Sequence, residues 1–162
     1  MKRQTARSAV LTLFIVLIVF PCCDPFADCG DPTEYPVLAR LSQIKNGKTA
    51  DTLVSGVSLY VVDPSLGSRI LLDNKTVSLL SLPPDPLSVS SLFIFSTDTL
   101  SDSIMLYYRV MTDLVSYDCG LAHIFILDSV KCTGQMIDSV ELVIPQTNTE
   151  LNSDEENIRI YF

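Results

Sequence analysis

Residues 104–110 read IMLYYRV. Ile104, Leu106, Tyr108 and Val110 fall on one side of an extended chain, with Tyr107 and Arg109 on the other. A period of two marks a strand with one buried face, because successive side chains of extended backbone point to opposite sides. The same period returns near the carboxy terminus. NIRIYF (157–162) sets Ile158, Ile160 and Phe162 against Arg159 and Tyr161, and SVELVI (139–144) sets Val140, Leu142 and Ile144 against Ser139 and Glu141. GVSLYVV (56–62), TVSLLSL (76–82) and SLFIFS (91–96) are rich in residues that pack well on a pleated surface. SLFIFS is apolar enough for a central strand. In TVSLLSL the alternation slips at Leu79-Leu80, which predicts a bulge.

Turn chemistry separates these runs: KNGK (45–48), DPSLGS (63–68), Asp73-Asn74, and PPDP (83–86). Asp73-Asn74, between RILL and KTVSLLSL, reads as the turn of a β-hairpin. No window carries a helical apolar stripe. About eight short strands with regular turn signals predict an all-β chain folded as an antiparallel β-sandwich, an immunoglobulin-like arrangement being one option. Tyr117 stands two residues before Cys119, the spacing of that fold's tyrosine corner. The chain has no tryptophan and Cys29 precedes the first strand, so a chance match is the plainer reading.

Upstream of the strands the chain changes character. Lys2, Arg3 and Arg7 precede an uninterrupted apolar run at 13–20, which breaks at Pro21. That order predicts an export signal over residues 1–22, and the run is short for a bilayer span of about 20 residues. Three cysteines follow within FPCCDPFADCGD (20–31). The segment resembles a bacterial lipoprotein signal, in which a small residue precedes a cysteine that becomes the acylated amino terminus. Cys23, after the small Cys22, is the expected lipidation site, with Cys22 as the alternative. Residues 23–34, rich in Pro and Asp, read as a tether, and residues 35–162 as the β-sandwich domain.

Charge and cysteines bound what the domain can be. The formal charge is −8; without the three leader cations, 8 basic residues face 19 acidic ones, a balance of −11. An acidic domain repels phosphate backbones, so nucleic acid is not an expected partner. Of the cysteines beyond the leader, Cys29, Cys119 and Cys132, one pair can form a disulfide in an oxidising compartment. Cys29 with Cys119 is favoured, closing a loop of about 90 residues worth on the order of 4 kcal/mol. Cys132 reads as a small buried thiol. Asp24, Asp28, Asp31 and Glu34 lack the ordered spacing of a calcium loop, and no Cys-x-x-Cys pair suits zinc. Neither a metal nor a cofactor is expected.

Chemistry is sparse. The single histidine, His123 in GLAHIFIL, shares its strand face with Leu121, Phe125 and Leu127, so it reads as a partly buried strand residue and not as a base. No catalytic residue is assigned. Asp-Ser/Thr followed by an apolar residue recurs at 51–53, 98–100, 102–104, 128–130 and 138–140, where the pair would close turns. The pattern also resembles the O-glycosylation acceptor of exported Bacteroidota proteins, which would place glycans on Thr52, Thr99, Ser103, Ser129 or Ser139.

SYDCGLAHIFILDSV (116–130), the terminal stretch 136–162, Cys29-Gly-Asp-Pro-Thr and the Leu82-Pro83 turn together resemble a family of small Bacteroidota lipoproteins known only as a domain of unknown function. Cys119-Gly120 and the Asn-Ile-Arg-Ile strand at 157–160 carry the resemblance. It implies an envelope location and brings no activity. The sequence therefore predicts a lipid-anchored, non-catalytic interaction or structural module of the cell envelope, its partners the membrane and an envelope protein. A carrier of a small apolar ligand or glycan is the alternative, and a carboxylate-based hydrolase the more distant one.

Overall fold

The computed structural model describes residues 35–63, 67–116, 120–147 and 155–162. The leader and tether, Cys22, Cys23, Cys29, Tyr117 and Cys119 lie outside the described residues. Among the described residues are ten strands and no helix: β1 (Val37–Lys45), β2 (Lys48–Asp51), β3 (Val54–Asp63), β4 (Gly67–Val77), β5 (Leu79–Leu82), β6 (Ser90–Ser96), β7 (Ser101–Ser116), β8 (Gly120–Cys132), β9 (Ser139–Leu142) and β10 (Ile158–Tyr161). One five-stranded sheet has the order β4-β3-β6-β7-β8; the other runs β2-β1-β10-β9, with β5 also on β1. Every pairing is antiparallel except β1 with β10, which is parallel. The chain is an all-β sandwich, with two strands more than the turn signals alone suggested. The additional pair is the β1–β2 hairpin.

The alternating pattern decides what each strand buries. On β7 Ile104, Leu106 and Tyr108 are buried while Tyr107 and Arg109 are exposed. β6, the SLFIFS run, lies at the centre of its sheet, with Phe93 and Phe95 fully buried. From the other sheet Val37, Leu41, Leu80, Leu82, Ile158 and Ile160 complete a single main core. Two ring contacts stitch it: Phe95 to Phe162 at 5.7 Å, and Tyr108 edge-on to Phe125 at 5.3 Å. On β8 Phe125 and Leu127 are core residues, but Leu121 on the same face is exposed and His123 half-buried, because β7 and β8 run on past the end of β6.

Asn46 and Gly47 form the β1–β2 turn with φ of 54° and 72°, as a two-residue type I′ hairpin requires. Two other expectations need correction. Asp73-Asn74 is not a hairpin turn; β4 runs through it. Asn74, with φ of 44°, sits in a bulge where Val57 pairs with Lys75 but Leu59 pairs with Leu72, and its N–H donates to Ser58 Oγ at 3.1 Å. The short polar side chain that suits a tight turn suits a left-handed bulge equally well. Nor is Leu79-Leu80 a bulge. There the chain leaves β4 in one sheet, at Ser78, and enters β5 in the other, so the inward side changes.

Two of the passages between the sheets, β2 to β3 and β4 to β5, meet on Leu41. Its N–H donates to the Ser78 carbonyl at 2.8 Å, and its carbonyl accepts the Thr52 N–H at 2.9 Å. β2 and β5 thus lie end to end along one edge of β1, with β10 on the other edge. A buried backbone left unpaired at this join would cost a few kcal/mol, so the two passages satisfy each other's neighbour.

Candidate functional site

The β5–β6 connection contains Pro83, Pro84 and Pro86, which have no N–H to satisfy and hold their own φ, so the loop needs few backbone bonds. It is held instead by Tyr108. The Tyr108 hydroxyl donates to the Asp85 carbonyl at 2.8 Å. The Ser91 hydroxyl therefore donates to Tyr108 Oη at 2.7 Å and accepts the Asp85 N–H at 3.0 Å. This closed triangle pins the loop to the core. Burial pushes the Tyr108 phenol up, with the Asp85 charge adding to it and the Ser91 bond opposing it. Asp85 Oδ1 accepts the Leu87 N–H at 2.9 Å, an Asx turn that ends the proline run.

Between this loop and the sheet lies a cleft of about 530 Å³. One side is a row across three strands, Val62, Leu92 and Met105, which are successive register partners. The other is Pro83, Pro84 and Pro86; Arg69, Asp63 and Asp85 supply the charged groups. Such a cleft can hold an apolar group and offer ionic contacts at its margin. Two of its serines are engaged: Ser91 in the triangle, and Ser88 Oγ donating to the Ser90 carbonyl at 2.9 Å. His123 is on β8, against Thr112 Oγ1 at 3.4 Å, and is not brought to this cleft. The signal for the site in sequence was PPDP, legible as a turn but not as a wall.

At the other end of β7, Asp102 is 2% exposed. Its carboxylate accepts from Thr133 Oγ1 (2.7 Å) and from the N–H groups of Gln135 (2.9 Å), Met136 (2.7 Å) and Ile137 (2.9 Å). Burial alone would raise its pKa; the bonds from Ile137, Gln135, Thr133 and Met136 outweigh that, and the net shift is downward. Asp102 thereby folds the loop after β8. Cys132 beside it is free and half-buried against the core, its thiol pushed up by burial and then by the Asp102 charge. Near β10, the buried Glu156 carboxylate takes Arg40 on one oxygen and Arg159 on the other, and Arg40 also reaches Asp51 at 3.1 Å. Asn157 accepts the Leu38 N–H at 2.9 Å and donates to the carbonyls of Ile144 (3.1 Å) and Gln146 (3.0 Å). The Asn-Ile-Arg-Ile motif is thus a knot between β1, β10 and the chain after β9.

Of the Asp-Ser/Thr positions, Thr99 and Ser139 are exposed after exposed aspartates, whereas Thr52, Ser103 and Ser129 are half-buried. The turn reading fits 98–100 and the strand ends at 51–53 and 138–140. It does not fit Asp102, which binds the 133–137 loop, or Asp128, inside β8 and paired with Arg109 at 3.1 Å. Among the described residues no group of three or more His, Cys, Asp or Glu is placed to hold a metal, and no helix is long and apolar enough to cross a membrane.

No curated protein and no solved structure matches the chain. A family model covers residues 58–162, a span holding the whole cleft, the Tyr108 triangle, Asp102 with its loop, and Asn157 with its partners Ile144 and Gln146 but not Leu38. The chain belongs to that family, a family of unknown function designated DUF6452.

Proposed function

We propose that the chain is an exported lipoprotein of the cell envelope, anchored through acylated Cys23 (or Cys22), whose β-sandwich is a non-catalytic interaction or structural module. The basic start, apolar run and twin cysteines support the anchor; Cys119-Gly120 and the 157–160 strand support placing it among small Bacteroidota lipoproteins. A balance of −11 without the leader favours a soluble, exposed domain over a nucleic-acid binder. The observation that carries the binding role is the cleft, with Val62, Leu92 and Met105 facing a proline wall.

Two measurements test this. Cells fed a palmitate analogue should label the wild-type chain and Cys22→Ser but not Cys23→Ser; an unlabelled product still beginning at Met1 refutes the anchor. A photo-crosslinker at Met105 should give one discrete adduct in native envelopes that the same group at Thr76, on exposed β4, does not give. A carrier of a small apolar molecule or glycan is the second reading, favoured by the cleft volume of about 530 Å³, within the range of small-ligand sites. Native mass spectrometry of the purified domain decides it by a retained ligand.

Tyr35 packs on Ala122 and Ile124. Six positions before Tyr35 is Cys29, and three before Ala122 is Cys119, which supports the Cys29–Cys119 disulfide. A non-reducing digest should contain that linked pair. Thr99 and Ser139 are the favoured O-glycan acceptors, and an unmodified intact mass from the native host removes that modification.

A further inference from the structure

β4 is the open edge of its sheet. At the opposite margin the outer edge of β8 is already occupied: the Leu127 N–H donates to the Pro145 carbonyl at 2.7 Å, the Thr147 N–H to the Phe125 carbonyl at 2.9 Å, and Ile126 bridges Gln146. Among the described residues no strand pairs with β4 except β3. An edge strand carries a row of unpaired N–H and C=O groups, and natural sheets blunt such rows with bulges. β4 is blunted over most of its length, since its register with β3 shifts three times between Ile70 and Val77. From Gly67 to Ile70 it is regular, pairing in step with Asp63 back to Tyr60, and all four residues are exposed. The edge is straight and open over this one short stretch. That stretch flanks the cleft, which Gly67 and Arg69 help to line.

Register shows what would fit there. Ser68 ends the cross-strand row Ser68–Val62–Leu92–Met105, the apolar side of the cleft, on the sheet face turned away from the core. A serine side chain is short, so an apolar group set beyond the edge can lie over Ser68 toward Val62. Ile70 ends the neighbouring row Ile70–Tyr60–Ile94; it is 58% exposed, whereas Tyr60 and Ile94 are half-buried. One more strand on β4 would extend both rows with apolar side chains. Between them Arg69 and its partner Val61 fall on the other face. Of the described arginines, Arg40, Arg109 and Arg159 are in ion pairs and Arg69 is in none, although the net charge is −8. A residue opposite Arg69 gains most by being acidic, since directly opposed unlike charges stabilise a sheet. We propose that Gly67–Ile70 takes up an extended peptide of a partner protein as an added strand, with the pattern apolar–acidic–apolar opposite Ser68, Arg69 and Ile70. Main-chain bonds to the edge give affinity, and the cleft and Arg69 give the choice of sequence. A second copy of the chain is the poorer occupant: antiparallel self-pairing within this stretch sets Arg69 against Gly67, Ser68, Ile70 or Arg69, never against an acid. The inference deepens the interaction-module reading above and rests on it.

The test pans the immobilised full chain against a displayed library of random octapeptides. Apolar–Asp/Glu–apolar triplets should be enriched severalfold over the unselected library. Panning on Arg69→Glu, with a thermal melt to confirm that this surface variant folds, should move the central position to Lys or Arg. No enriched triplet, or a triplet indifferent to Arg69→Glu, overturns the proposal. The best-enriched peptide, synthesised, should slow hydrogen exchange severalfold within Gly67–Ile70, and protection confined to another strand overturns the proposal as well. So does a dimer in sedimentation that Arg69→Glu dissociates, the sign of a second copy on the edge. The Met105 photo-crosslinker in native envelopes separates this inference from the broader reading. An adduct that survives Arg69→Glu refutes the strand site and keeps the interaction module. No adduct even from the otherwise wild-type chain refutes the module, and panning alone then decides the edge.

Discussion

Asp102 shows how one buried charge organises a loop. Its four donors come from Thr133 and from three consecutive backbone N–H groups, of which that of Ile137 is buried. Asp102→Asn replaces one acceptor oxygen by a donor aimed at a donor, and should lower stability by about 2–4 kcal/mol in urea unfolding. The pH dependence follows from the lowered pKa. Folded Asp102 is charged more readily than unfolded Asp, so its contribution is complete above the ordinary 3.8 and fades as pH falls below that toward the lower folded value. The stability gap between wild type and Asp102→Asn should stay constant from pH 7 to pH 5 and narrow below about pH 3.8. Tyr108→Phe should cost about 1–2 kcal/mol by opening the Asp85–Ser91 triangle. It should also raise hydrogen exchange at the Asp85 N–H, the local sign that the cleft wall has loosened.

Elements form where side-chain alternation and turn chemistry agree. The β1–β2 hairpin depends on Asn46-Gly47, and a Cβ on Gly47 would meet nothing within 4 Å. Gly47→Ala should nevertheless destabilise the protein by about 1 kcal/mol, because a φ of 72° is strained for an L side chain even in open space. Thermal melts check this. Where turn chemistry is ambiguous, tertiary context decides. Asn74 has the same left-handed backbone as Asn46, but β3 keeps pairing with β4 on both sides of it, so it bulges the strand instead of reversing it. Leu79-Leu80 breaks the alternation because β1 draws Leu80 and Leu82 into the core of the opposite sheet. His123 shares its strand parity with Phe125, as its spacing indicates, and is still half-exposed because the strand outruns its sheet.

At the scale of the molecule, the sandwich is closed by contacts between its first and last strands. β1 and β10 pair in parallel from Ala39–Ile158 to Ser42–Tyr161, and Asn157 ties that pair to the chain after β9. Asn157→Ala removes three side-chain bonds at once, those to the Leu38 N–H and to the Ile144 and Gln146 carbonyls, so a loss of about 2–4 kcal/mol is expected, with single-transition unfolding retained. The amino-acid sequence by itself determined the all-β class, the inward faces of β7 and β10, the central place of β6, and the Asn46-Gly47 turn, since these depend on side chains and backbone preferences a few positions apart. Only the tertiary structure decided which sheet each strand joins, the parallel closure, the Asp102 nest and the cleft. Each of those is a contact between residues twenty to more than a hundred positions apart, and loop closure at such distances leaves no periodic trace in the chain.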